Sequence, residues 1–400
     1  MRVIDGGVTA PEGFFAAGIA CGLKKDGKKD LAIVCSEDIA AAAGVFTTNI
    51  VKGHSLQVTM EHLKSGYASA IIINSGNANA CVGEQGYRDA KEIAEIASGY
   101  LECTIDNILV GSTGVIGTPL NMNAIRPAIE TLISNMSLDG GHDAVEAMMT
   151  TDLIPKDIAV EFEIQRNPVI IGGMAKGSGM IHPQMATMIG VITTDANISR
   201  GLLNKALTEV VKHTFNRVSV DGDTSVCDMV IIMANGLADN PAIITENGDY
   251  EKFKKSLNHV CTELARMIAR DGEGATKLVE IIAEGAATEE DAYKIVSTVA
   301  KSPLVKTALF GEDANWGRIL TAAGYSGATF NPEKTDIYIG DLLVCKNGAA
   351  VKFDEKKAKG ILKEKEIDIT IRLNEGKYSD KIWTCDFSYD YVKINGSYRT

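Results

Sequence analysis

Apolar positions fall into two kinds of pattern along this chain. In the first half, short uninterrupted runs at 31–36, 70–74 and 108–111 alternate with glycine-rich turns. Aliphatic and β-branched runs of that length predict strands buried on both faces. Between the last two runs, Ala90, Ile93, Ala94, Ala97 and Leu101 recur at helical spacing, with Arg88, Lys91 and Glu92 on the other side. That spacing predicts a helix over 87–101. Strand, helix and strand in this order predict an α/β layered architecture.

The same period returns later. Ser199 is placed to cap a helix whose inner face is Leu202, Leu203, Ala206, Leu207 and Val210. Asp249 is placed to cap another, with Phe253, Leu257, Val260, Cys261, Leu264 and Ile268 inward, ended by Gly272. A third is expected over 289–302, closed by Pro303. Beyond Asp336 the pattern alternates, predicting strands at 338–345, 350–353, 367–373 and 383–392. The expected architecture is α/β, a layered sandwich of sheets flanked by helices, with a smaller C-terminal α/β module. The expected divisions are a core domain over 1–190, a substrate-site domain over 196–284 and the C-terminal module over 285–400.

Composition narrows the function. The chain has 400 residues, 45% hydrophobic and 23% charged, with a net charge of −12. An acidic balance of that size argues against nucleic acid or an anionic membrane as partner. Eight scattered cysteines without a Cys-x-x-Cys pair, and histidines too far apart for paired ligation, give no expectation of a metal site. They suit a reducing, cytoplasmic setting. The apolar run at 14–21 follows Asp5 and Glu12 with only Arg2 as a cation, so it lacks the basic start of a signal peptide. No apolar stretch is long enough to span a bilayer.

The most unusual segment begins at Gly172 and runs through Met174-Ala-Lys-Gly-Ser-Gly-Met-Ile-His-Pro-Gln-Met-Ala-Thr187. Gly172 and Gly177 have the spacing of a phosphate-binding loop, yet Ser178 stands where that loop needs lysine. A hydroxyl nucleophile needs a base, and His182 offers no defensible Ser-His-Asp order. Cutting the chain before a threonine is another way to supply one. The freed α-amino group, with a pKa near ~8, lies within reach of its own Oγ. Thr187, after small Ala186 and before an apolar run, fits that chemistry.

The segment from Met174 to Met188 closely resembles the self-cleavage segment of the ornithine acetyltransferase family, the glutamate N-acetyltransferases of arginine biosynthesis. The likeness extends to Val8-Thr-Ala-Pro-Glu-Gly-Phe, Ala43-Gly-Val-Phe-Thr-Thr-Asn, Asn74-Ser-Gly-Asn-Ala-Asn-Ala, Gly111-Ser-Thr-Gly-Val-Ile-Gly and Met149-Thr-Thr-Asp. It continues through Ser219-Val-Asp-Gly-Asp-Thr-Ser, Ala269-Arg-Asp-Gly-Glu-Gly-Ala-Thr-Lys, Gly311-Glu-Asp-Ala-Asn-Trp-Gly-Arg and the run from Tyr391 to Thr400. Gln184, Cys227 and Ile50 depart from the family's usual residues.

The resemblance implies an N-terminal-nucleophile fold and cleavage between Ala186 and Thr187, giving pieces 1–186 and 187–400. It implies Thr187 as nucleophile and Thr113 with Gly114 as oxyanion hole. Without it, the Ser-Thr-Gly stretch at 112–114 reads as a plain tight turn between strand and helix. It further implies Thr150, Lys176, Thr187, Glu273, Asn395 and Thr400 as substrate-binding positions. The implied reaction is ping-pong acetyl transfer from N2-acetyl-L-ornithine to L-glutamate, without a metal or bound cofactor. Acetyl-CoA serves as a further donor in some members, and the pieces are expected to assemble as a heterotetramer. The nearest rival keeps the nucleophile and uses water as acceptor, as an amidohydrolase or aminopeptidase does. A protein that binds an amino acid in the same pocket without cleavage is the rival of another class.

Overall fold

In the computed structural model of the protein, residues 1–182 and 188–397 are described, apart from the side chain of Asp26. The first of two mixed sheets holds nine strands. Its main path runs Arg2–Ile4, Lys156–Ile164, Asn167–Lys176, Ile189–Thr194, Met229–Ala234, Leu31–Phe46, Tyr67–Asn77 and Ile108–Val115. Phe14–Ile19 pairs antiparallel with Leu31–Phe46 beside this path, so the apolar run near the start is a strand.

The continuous apolar runs are explained by burial on both faces. Ile71, Ile73 and Leu109 pack with Val145 and Met148 of the helix Gly141–Met148. Their alternating neighbours Ala70, Ile72, Ile108 and Val110 face Ile93 and Ala97 of Glu84–Tyr100 and Ile125 and Ile129 of Met122–Ser134. A period of two thus divides one run between two cores.

The second sheet holds seven strands in the order Ala349–Ala350, Leu342–Lys346, Asp336–Ile339, Glu366–Arg372, Leu278–Ala286, Tyr378–Cys385 and Val218–Ser219. The helices Glu289–Lys301 and Trp316–Gly324 pack on it. The 23-residue helix Gly248–Arg270 contacts strands of both sheets. Leu278, Trp383 and Cys385 accordingly join the core formed by Val160, Ile171, Leu257 and Leu264. The architecture is mixed α/β.

The expected divisions at 190, 196 and 284 do not coincide with the sheets. Met229–Ala234 belongs to the first, while Val218–Ser219 and Leu278–Ala286 belong to the second. Other expectations change in detail. Asn247, not Asp249, caps the long helix, its side chain accepting the N–H groups of Asp249 (3.0 Å) and Tyr250 (3.1 Å). Asp249 falls in the first turn, where its charge suits the helix dipole. The run expected at 338–345 is two strands around Gly340, whose φ is +57°. Only Ala349–Ala350 pairs in the region expected as a strand at 350–353.

The largest difference lies at the C-terminal end. The strand expected over 383–392 closes at Cys385, and a helix follows over Tyr389–Ser397. Fully buried Asp386 ends the strand by accepting the N–H groups of Thr276 (2.8 Å) and Lys277 (3.0 Å). Phe387 and Tyr391, four residues apart, then stack at 4.5 Å.

Candidate active site

Two close-packed strands set the first wall of the site. Thr113 and Gly114 do not form a turn between elements; they lie within Ile108–Val115, paired beside Ser75 and Gly76. Gly114 has φ +132°, and a Cβ there would stand 2.4 Å from the Gly76 carbonyl carbon. Only glycine is tolerated at that approach.

The opposite wall is the end of Asn167–Lys176. Lys176 is its last residue and is 2% exposed. Its ammonium donates to Thr113 Oγ1 at 3.1 Å and to Thr150 Oγ1 at 2.8 Å, and Thr150 follows the helix Gly141–Met148. Burial pushes the Lys176 amine down, and the nearby Asp152 carboxylate opposes that. Asp152 accepts the Thr150 N–H at 3.0 Å, the Gly177 N–H at 2.7 Å and the buried Lys156 ammonium at 2.7 Å. Burial alone would raise the Asp152 carboxyl, but Lys176 and Lys156 outweigh it and hold the group well below the usual carboxylate range. Lys156 also donates to Asp271 at 2.6 Å. Two lysines and two aspartates therefore compensate one another out of water.

Beyond Lys176 the chain turns through Gly177 to Ile181. Asp221 holds this turn by accepting the N–H groups of Met180 (2.6 Å) and Ile181 (3.0 Å). Glu273 closes the third side. Its N–H donates to the Ser178 carbonyl at 3.0 Å, and its carboxylate accepts the Asn395 amide at 2.8 Å. A Cβ on Gly179 would stand 2.4 Å from that carboxylate, so a side chain there would displace the Glu273 head group.

These segments enclose a cavity of about 260 Å³ lined by Thr113, Gly114, Thr150, Lys176, Glu273 and Asn395. Six predicted positions from five separate stretches of sequence thus meet in one place. Thr187 and Ala186, as well as Gln184 and Thr400, lie outside the described residues. His182, set aside as a base, does not line the cavity; burial pushes its imidazole down to about 4. Charges of both signs line it: the buried Lys176 ammonium, and Asp221, Asp223 and Glu273, which lie close enough for the last two to act on Asp221.

Sequence reasoning missed Asp221, Asp223 and Tyr391 as lining residues. The signal was there in the paired acids of Ser219-Val-Asp-Gly-Asp, whose spacing suits a turn. Cys227 also lines the cavity. Its thiol lies 3.3 Å from the Ala78 carbonyl, and burial pushes it far up. At that position it behaves as a small buried packing group rather than a nucleophile.

The family model described as the ArgJ family matches residues 15–400. An "Arginine biosynthesis bifunctional protein ArgJ" from Caldanaerobacter subterraneus subsp. tengcongensis is 50% identical, with all of both chains covered. A protein of the same name from Symbiobacterium thermophilum is 51% identical, again over all of both chains. A crystal structure of an arginine biosynthesis bifunctional protein ArgJ from Bacillus halodurans is 46% identical with a TM-score of 0.50. That match covers 52% of this chain and 97% of that chain. The chain belongs to the ArgJ family of arginine-biosynthesis acyltransferases.

Proposed function

We propose that this protein transfers the acetyl group of N2-acetyl-L-ornithine to L-glutamate through an ester on Thr187, after cutting itself between Ala186 and Thr187. The observation that carries the reading is the one cavity lined by Thr113 and Gly114, the buried Lys176 ammonium and the carboxylates of Asp221, Asp223 and Glu273. Its volume suits an amino-acid derivative. Lys176 complements a carboxylate or amide oxygen, while Glu273 and the two aspartates complement the side-chain ammonium of acetylornithine.

The described residues on either side of 183–187 support the placement of the nucleophile. Met180 lines the cavity, and the Met188 N–H donates to Asp228 at 2.9 Å. The Bacillus halodurans chain supports the cut, since nearly all of it is matched by about half of this one. A chain severed after Ala186 yields pieces of that size.

In the proposed sequence Thr187 Oγ attacks the Ala186 carbonyl, the peptide C–N bond breaks, and water hydrolyses the ester. The freed α-amino group then takes the Oγ proton as Oγ attacks the acetyl carbonyl. The Thr113 hydroxyl and the Gly114 N–H stabilise the oxyanion. The amide C–N bond breaks, and ornithine leaves with the proton. The glutamate amine attacks the acetyl ester and carries the acetyl group away. No cofactor enters this cycle, and two copies of each piece form the expected assembly.

Intact mass under denaturing conditions tests the cut. Two pieces, 1–186 and 187–400, are expected from the wild type and one whole chain from Thr187→Ala. Ornithine release is then followed with and without glutamate. Dependence on glutamate supports transfer, and equal release in buffer alone makes the protein a hydrolase. Acetyl-CoA supplied as the only donor decides whether it too is used. A wild type that stays whole and inactive overturns the proposal.

A further inference from the structure

Among the described residues, the Lys176 ammonium makes two hydrogen bonds, and both go to hydroxyls that line the cavity. A threonine hydroxyl has one proton and two lone pairs, whereas an ammonium has only protons. A hydroxyl that accepts from Lys176 must therefore send its own proton elsewhere. Among the described residues, neither Thr113 Oγ1 nor Thr150 Oγ1 donates to any protein acceptor. Thr113 is 3% exposed, so its proton has no bulk water to meet except through the cavity.

We propose that Lys176 is a positioning residue, which turns the Thr113 and Thr150 hydroxyls into fixed donors aimed into the cavity. The inference rests on the acyl-transfer reading above and changes the part Lys176 plays in it. As a simple partner for a substrate carboxylate, Lys176 would act directly on the ligand. In the arrangement seen here it acts through two hydroxyls. Those hydroxyls would otherwise be free to rotate and present lone pairs to a developing oxyanion. An oxyanion hole is effective because its donors are oriented before charge appears, and a buried cation bonded to each oxygen enforces that orientation. The proposal also gives Thr150 the same donor role as Thr113, although the two come from different elements.

Asp152 favours the ammonium form of Lys176 against the burial that pushes the amine down. Asp152 is buried beside it, holds the Gly177 N–H next to Lys176, and shares its charge with Lys156. Asp152 anchors the backbone beside Lys176, while the lysine head group is held by the two hydroxyls.

A mutant cycle tests the proposal. Lys176→Met is introduced into the wild type and into Thr113→Val/Thr150→Val, and kcat and KM for ornithine release are measured with and without glutamate. In the wild type, Lys176→Met is expected to lower kcat by about 10²-fold, the scale of a lost oxyanion donor. In the background without hydroxyls it is expected to lower kcat by less than about threefold, because the lysine then has nothing to orient. An equal loss in both backgrounds, carried by KM, would mean that Lys176 contacts substrate directly and would overturn the proposal.

A second measurement reads the charge of Lys176 in the wild type. In ¹⁵N-lysine-labelled protein, assigned by Lys176→Arg, an NH3⁺ resonance for Lys176 at the assay pH is expected. A neutral amine there could accept from the hydroxyls, and observing one overturns the proposal. A wild type that releases no ornithine would refute the acyl-transfer reading, while the nitrogen resonance would still decide the role of Lys176.

Discussion

Asp221 serves the backbone before it serves a ligand. Its carboxylate accepts the N–H groups of Met180, Ile181 and Asp223. Burial nevertheless pushes the carboxyl up to about 6, with repulsion from Asp223 and Glu273 added and the backbone donors opposing. Protonation removes one of the three negative charges proposed to take an ammonium. The value of kcat/KM for acetylornithine is therefore expected to fall as the pH drops through about 6, since that ratio reports ionisations of the free enzyme. Stability moves the other way for this group. Its folded pKa is raised, so its contribution is complete below the unfolded value and is lost as pH rises through about 6. In Asp221→Asn the acid limb should flatten, and an unchanged limb in pH profiles of that variant would assign it to another group. Asp221 shows where reading residues one at a time stops. Lys176 and Glu273 were found because a motif carried them, but no spacing in the chain reveals that Asp221 lies against residues some forty positions earlier.

Among elements, the segment after the helix Gly248–Arg270 has the most to hold. It carries Glu273, and besides its local turn bonds it is fastened to the C-terminal stretch. Asp386 accepts the N–H groups of Thr276 and Lys277 and the Thr276 hydroxyl at 2.5 Å, and Ser388 donates to the Gly274 carbonyl at 2.6 Å. Asp386→Ala leaves three donors without their carboxylate, of which the Lys277 N–H is buried, so a loss of about 1–3 kcal/mol in stability is expected. Because Glu273 is held through this clamp, KM for acetylornithine should rise about tenfold, a shift of about 1.4 kcal/mol. Denaturant melts beside steady-state kinetics test the coupling, and a weaker fold with an unchanged KM would show that Glu273 is positioned by other contacts. The long amphipathic helices were legible in the sequence because their periodicity is local. The helix Tyr389–Ser397 was not. Its aromatic and β-branched residues have strand propensity, and what ends the preceding strand is a bond from Asp386 to residues more than a hundred positions away.

For the whole molecule, strand order matters more than strand content. Residues before the proposed cut supply both flanks of the nine-stranded sheet, and residues after it supply the two central strands, Ile189–Thr194 and Met229–Ala234. These pair with Asn167–Lys176 on one side and Leu31–Phe46 on the other. The cleaved protein is therefore expected to run as a single particle in native gel filtration and to separate only in denaturant. Pieces 1–186 and 187–400, produced apart and mixed, should regain little or no activity; ready reconstitution would mean that each half folds alone. This interleaving could not be read from the sequence, because sheet order is set by pairings between distant segments.

The same interleaving gives each molecule a direction in time. The intact chain can lay its two middle strands into place while one backbone still ties them to their neighbours. Once the proposed cut removes that tie, the assembled form is one the separated strands have no short route back to. Endurance then depends on how slowly the sheet opens rather than on how favourable it is to close. Heat should inactivate the uncut Thr187→Ala chain and the mature protein differently, the first recovering on cooling and the second being spent.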